Sequence, residues 1–256
     1  MFLILSLYNV ARAAGQVGFI MIGIDPVTLA TMTILAGYTP QCPVHEPTKI
    51  NIKPVSEKIK YDKNQSLKDI QSYDTDTIDP YSFHGQSITQ AFMKGSVGIG
   101  YQVKFAGSSS PKTGVSCMWY KEINVEIKVD PTIVIAKEIY HDPCMRKAVI
   151  GHEHKHVQVD RVIVNKYAKS IGRKLMSGLE SRGFTAGPFD GARAGEIKEK
   201  MLRVVSQIID LEDQKMDLER REKQLEVDTL EEYESVDDKC PFFEKKKAVI
   251  YSDILQ

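Results

Sequence analysis

The stretch that most limits how this chain can fold is "HDPCMRKAVIGHEHKHVQVDRVIVNKYAKSIGRKLM", residues 141 to 176. Asp142 suits a helix N-cap, where its carboxylate accepts from the first unpaired N–H groups. Pro143 suits the first helical position, where its missing N–H costs nothing. Apolar residues then recur at Met145, Val149, Val159, Ile163, Tyr167 and Ile171, the spacing of one helical face. The pattern predicts a helix from Pro143 to about Met176, ending before Gly178. His152 and His156 fall one turn apart on that apolar face, and His154 projects from the opposite side. A buried imidazole with unpaired nitrogens is costly, so the inward pair demands partners.

A metal ion is one such partner. Two neutral imidazoles at i and i+4 can both reach a tetrahedral Zn2+ ion at about 2.0–2.1 Å. Glu153, inside the pattern His-Glu-x-x-His, then projects beside the ion without binding it and can take a proton from water that the ion activates. The alternatives are metal bound without catalysis, or histidines satisfied by protein groups alone. No Gly-rich phosphate loop, G-x-S-x-G elbow or Cys/His nucleophile context competes with this site.

The rest of the chain is consistent with an exported globular protein. Thirty-four basic and thirty-four acidic residues cancel, so bulk charge gives no argument for a nucleic-acid partner. Residues 1 to 38 are largely apolar, and the order of an apolar run followed by Ala11-Arg12-Ala13 resembles a secretory signal with its cleavage site. A membrane anchor is the second reading, although Asp25-Pro26 would fall mid-span. Four cysteines, none in a Cys-x-x-Cys pair, suit two disulfides in an oxidising compartment. Cys117 with Cys144 and Cys42 with Cys240 is the expected pairing.

Residues 39 to 95 read as an extended arm. From Ser96, "SVGIGYQVKF" reads as a strand and "SSSPKTG" as a turn. In "CMWYKEINVEIKV", Ile123, Val125, Ile127 and Val129 alternate with Asn124, Glu126 and Lys128, the period of a strand. "DPT" is expected to turn the chain, with "IVIAKEIY" as the returning strand of an antiparallel hairpin. "SRGFTAGPFDGARAG" reads as a loop. A second long helix is expected from about Glu196 to 230, with Ile197, Met201, Val204, Ile208, Leu211, Leu218 and Leu225 forming its seam. The fold class is α+β: an antiparallel sheet or hairpin, the histidine helix, then a long antiparallel helix. The domains divide as 1 to 38, the arm 39 to 95, a core 96 to 190, and the helix with its tail 191 to 256.

The run "VIGHEHKHVQVDR" resembles the active-site helix of the zincin metallopeptidases. The longer run "CMWYKEINVEIKVDPTIVIAKEIYHDPCMRKAVIGHEHKHVQVDR" is similar to exported bacterial proteins regarded as zinc-dependent peptidases. This resemblance covers about Cys117 to Arg161. It implies a zincin-like fold with a strand beside the helix to receive extended peptide, His152 and His156 as zinc ligands, and Glu153 as general base. It does not supply the third ligand. Asp160 lies about 12 Å along the axis from His152 at 1.5 Å per residue, too far for one ion, and is expected to orient His156. An acid from the second helix is the alternative, with Glu212 first and Glu196 second. Tyr140 and His141 are candidates for stabilising a transition state. Trp119 and Tyr120 read as core or sheet residues, and His45 and His84 carry no assignment. The expected function is an exported zinc peptidase acting on peptide or protein substrates. The rival reading is a cell-envelope scaffold whose long helix engages a protein partner, with structural metal or none.

Overall fold

A computed structural model describes residues 41–73 and 88–251. The apolar segment 1 to 38 and His84 lie outside the described residues.

Strand β4 (Val115–Ile135) organises the sheet. Its side chains alternate as the sequence does: Ile123, Val125, Ile127 and Val129 are buried, whereas Glu126 and Lys128 are exposed. β-Branched residues suit this half-buried pleated face. Strand β3 (Ala91–Ser109) pairs antiparallel with β4 across a turn at 110–114. Three strands share the other side of β4. These are β5 (Thr185–Asp190), antiparallel near Val115, then β1 (Lys49–Ser56) and β2 (Lys60–Asp62), both parallel.

The sheet is therefore mixed, which corrects the antiparallel expectation. Alternation reveals which face a residue takes but not the direction of its neighbour, so the parallel strands hidden in residues 39 to 95 carried no directional signal. The expected loop likewise supplies β5. No turn occurs at Asp130-Pro131-Thr132, because β4 runs straight through it. The Val129 carbonyl accepts from Glu57 on the β1 side, so Pro131, two residues on, points its missing N–H the same way. There it meets the gap between the end of β1 pairing at Val129 and the start of β2 pairing at Thr132. A proline is tolerated where no ladder bond is due. "IVIAKEIY" finishes β4 and forms the short helix α2 (Lys137–Tyr140), preceded in the chain by the equally short α1 (Leu67–Ile70).

Helix α3 (Pro143–Arg182) starts as expected: Asp142 accepts from the N–H groups of Cys144 and Met145. It runs past Gly178 to Gly183, whose φ of 95° ends it. Gly178 is kept within the helix by packing, since a Cβ there would lie 2.6 Å from Ile208 Cδ1. Helix α4 (Ala194–Leu225) returns against α3 and buries Met201, Val205, Ile209, Glu212 and Met216. Leu211 and Leu218, expected in the seam, are 54% and 68% exposed, so the buried stripe lies one helical step away from the expected one. The chain then breaks into α5 (Leu230–Asp238) and α6 (Glu244–Tyr251). The main core lies between the inward face of β4 and helices α3 and α4. A second cluster joins Met145, Ile139, Val149, Val236, Cys240 and Phe243. Among the described residues, no helix is long and apolar enough to cross a membrane.

Two disulfides form, Cys42–Cys117 and Cys144–Cys240, which fits an oxidising compartment but corrects both expected pairings. The reason is the straightness of β4. At about 3.3 Å per residue, Cys117 lies about 60 Å from Ile135, the end beyond which Cys144 begins α3, and a disulfide spans only about 6 Å between Cα atoms. Non-reducing peptide mapping should link 42 to 117 and 144 to 240. Replacing Cys144 and Cys240 together with serine should lower stability by about 2–4 kcal/mol in a urea titration. An unchanged midpoint would show that the second bridge restrains nothing.

Candidate metal centre

The Asp142 cap and the apolar stripe of α3 set the helical phase that buries His152, Glu153 and His156. His154 is exposed, and its Nε2 lies 2.8 Å from the hydroxyl of Tyr61 on β2. Facing the buried pair, the chain leaves α4 in a turn closed by the Val227 and Asp228 N–H groups on the Gln224 and Leu225 carbonyls. Thr229 then caps α5 by accepting from the Glu232 N–H. Between the two helices this turn aims Asp228 at the histidines.

Three atoms converge. His152 Nε2 and His156 Nε2 are 3.2 Å apart, and Asp228 Oδ1 lies 3.3 Å from the first and 3.1 Å from the second. All three residues are buried, and together they form a group that could hold a metal ion. Three ligands bound tetrahedrally at about 2.0–2.1 Å would sit about 3.3–3.4 Å apart, close to and slightly longer than the edges of this triangle.

The surrounding hydrogen bonds suit the same use. Gln224 Oε1 accepts from His156 Nδ1, which leaves the His156 Nε2 lone pair facing inward. His152 Nδ1 and Glu232 Oε1 are each buried without a hydrogen-bond partner and face one another at 3.6 Å. The other Glu232 oxygen pairs with Lys155 at 2.6 Å. The Tyr233 hydroxyl donates to Asp228 Oδ1 at 3.0 Å, and its ring lies 5.6 Å from that of His152. Two imidazole nitrogens and a carboxylate oxygen converging on one point are a donor set that fits a divalent ion.

Without such an ion, protons do the work. Burial opposes charging His156, but the hydrogen bond and charge of Asp228, aided by Glu153 and Gln224, outweigh it and push its pKa up to about 8. Burial also opposes ionisation of Asp228, yet the hydrogen bonds to His152 and His156 hold its pKa well below the usual carboxylate range. Glu153 moves the other way. Burial raises its pKa against the pull of both histidines, and the Met93 N–H of β3 donates to its carboxylate.

Glu212, the expected third ligand, is not in this group. It accepts from Ser170 at 2.6 Å and pairs with Lys215 at 2.7 Å. The expected register placed residues near 154 opposite those near 213. Because α3 continues to Arg182 and β5 intervenes before α4, the true partner of Glu212 is Ser170, about four turns along α3. Glu196 pairs with Arg193 and Lys200 at the start of α4, which lower its pKa to about 2. Asp160 is fully buried and touches neither histidine ring directly, but accepts from the Gln224 amide at 2.7 Å and from Arg220 Nε at 2.7 Å. Tyr140 lies between the cations of Lys63 and Arg146, each 5.0 Å from its ring, with His141 at its edge. The tyrosine at the histidine group is Tyr233. Trp119 stacks on His45, and the Tyr120 hydroxyl donates to the Met201 carbonyl from the core.

Asp228 was readable only through the helix break that exposes it. "DTLEEYE" contains Thr229 with Glu232 three residues on, an N-cap signature inside what otherwise reads as one continuous helix.

Comparison with known proteins finds no family model that matches the chain, and no curated protein or solved structure similar to it.

The protonation pattern gives opposite pH slopes with and without metal. A folded pKa raised above the unfolded value makes the His156 contribution fully present below about 6.5 and lost as pH rises through about 8. Asp228 stays ionised throughout this window and adds no slope. The melting temperature of metal-free protein should therefore fall between pH 6.0 and 8.5. With excess Zn2+, which needs neutral imidazoles, it should rise over the same range. Parallel slopes in the two conditions would reject the group as a metal site.

Proposed function

We propose that this chain is an exported zinc-dependent peptidase of the zincin type. The observation that carries the reading is the triangle of His152 Nε2, His156 Nε2 and Asp228 Oδ1, with the Glu153 carboxylate beside it on the same helix. His152, His156 and Asp228 would hold the ion. When bound, zinc supplies Lewis-acid polarisation and lowers the pKa of water. Glu153 takes the proton from the attacking water and passes it to the leaving amine. Burial raises its pKa, the direction that makes a carboxylate a better proton acceptor. The Tyr233 hydroxyl donates to Asp228 Oδ1 and would hold that carboxylate towards the ion.

Support for peptide as substrate comes from β3. Met93 pairs with Ile133, and its N–H turns away from β4 to reach Glu153, so the outer edge of β3 runs past the catalytic carboxylate. An extended peptide adds to such an edge through main-chain hydrogen bonds. Export is supported by the two disulfides together with the signal-like residues 1 to 38.

Burial favours a second reading. His152, Glu153, His156 and Asp228 are 6%, 4%, 9% and 4% exposed, as in a closed structural site. In that case the metal would clasp the C-terminal segment to α3 in a scaffold protein.

Elemental analysis and peptide hydrolysis separate the two. Purified protein should hold near-stoichiometric zinc, lost in His156→Ala and Asp228→Ala and kept in Glu212→Ala. Glu153→Gln should keep the zinc while lowering kcat/KM on a quenched fluorescent peptide library by about 100- to 10,000-fold. Zinc retention without hydrolysis by the wild type would select the scaffold reading, and absence of zinc would end both.

A further inference from the structure

Gln224 stands at the end of α4, where its amide touches His156 on one side and Asp160 on the other. The donors and acceptors around it leave no freedom. Gln224 Nε2 lies 2.7 Å from Asp160 Oδ1 and 3.2 Å from the His156 carbonyl oxygen. Both are acceptors, so the nitrogen of the amide must face them and its oxygen must face the imidazole. That oxygen can only accept, so the His156 Nδ1 it meets must carry the proton. In the neutral ring Nε2 is then a lone pair, and it is the atom 3.1 Å from Asp228 Oδ1.

The polarity of this chain of contacts originates at Arg220. Its Nε donates to Asp160 Oδ1 at 2.7 Å, and its NH2 group lies 3.4 Å from Oδ2. Asp160 is fully buried, so its oxygens depend on these donors in place of water.

We propose that Gln224 is a positioning residue which, oriented by Asp160 and Arg220, holds His156 in its Nδ1–H tautomer and so presents Nε2 as a ligand atom. The consequence for metal affinity rests on the zinc reading above, whereas the tautomer is a property of the metal-free chain. The second histidine has no such relay, since His152 Nδ1 faces Glu232 Oε1 at 3.6 Å. His156 is therefore the pre-set ligand, and His152 is the one that adjusts.

The test is long-range 1H–15N correlation on the metal-free, 15N-labelled full chain at pH 9.5, where His156 is neutral, paired with zinc affinity by chelator competition. Wild type should show a protonated His156 Nδ1 and an unprotonated Nε2. Gln224→Leu should shift the ring towards the Nε2–H form and weaken zinc binding about 10- to 100-fold. Asp160→Asn should also weaken binding, but by nothing further in the Gln224→Leu background, because its effect passes through that amide. An Nε2–H ring in wild type, an unchanged tautomer in Gln224→Leu, or additive losses in the double variant would each overturn the relay. Should Asp160→Asn fail to fold, the tautomer in Gln224→Leu still decides. If the wild type has the expected tautomer but binds no zinc, the metal reading fails and the relay stands.

Discussion

Helices α3 and α4 are locked in one antiparallel register, and every polar contact between them follows from it. The close approach of Gly178 to Ile208 sets the stagger. Counting back along α3 and forward along α4, Ser170 then meets Glu212, Lys166 and Tyr167 meet Glu219, Asp160 meets Arg220, and His156 meets Gln224. Continuing the count past the end of α4 reaches Asp228 opposite His152. A slip of one turn would move these partners about 5.4 Å apart and break the buried Asp160–Arg220 pair, a penalty of several kcal/mol. The apolar contact that sets the register and the polar contacts that punish its loss are thus mutually supporting.

The polar contacts are not ornaments on an apolar core, because several are deeply buried. Asp160 and Glu212 are 0% and 2% exposed, and each is satisfied by a cation and a second donor. Replacing such a pair with apolar residues of matched shape can be neutral, but removing one partner strands the other. The contacts that cross between the helices, Asp160 with Arg220 and Ser170 with Glu212, therefore specify alignment more than they add net stability. Glu153 differs in kind. It has no cation of its own, only the Met93 N–H and the nearby imidazoles, and its raised pKa records the shortfall.

What the sequence makes legible is local. The Asp142-Pro143 start, the inward phase of His152 and His156, and the alternation from Ile123 to Val129 each depend on neighbours within one or two turns or along one strand, and all appear in the structure. Contacts that depend on where distant segments stop were not legible. Gly178 reads as a helix end until Ile208 is seen against it. Pro131 reads as a turn until the gap between β1 and β2 is seen opposite it. Each misreading moved something far away: the first shifted the helix register and so named Glu212 in place of Asp228, and the second shortened β4 and so mispaired the cysteines. The relation of Asp160 to His156 was legible in outline from helical phase alone, but the glutamine between them lies 64 residues further along the chain.

The Cys144–Cys240 bridge and the His/Asp group join the same two parts of the chain, the first turns of α3 and the segment beyond α4. Cys144 precedes His152 by two turns, and Cys240 follows Asp228 across the short helix α5. Holding Cys240 against α3 confines Asp228 to a small volume around the histidines, which raises its effective concentration there without any new contact. Val236 and Phe243, buried with Met145 and Val149, reinforce the same closure. A carboxylate delivered by a free chain end would lose much of its interaction energy to the entropy of ordering that end. Here the disulfide bears that entropy in advance. A third ligand contributed from outside the two long helices can therefore be as well fixed as the two histidines that α3 presents.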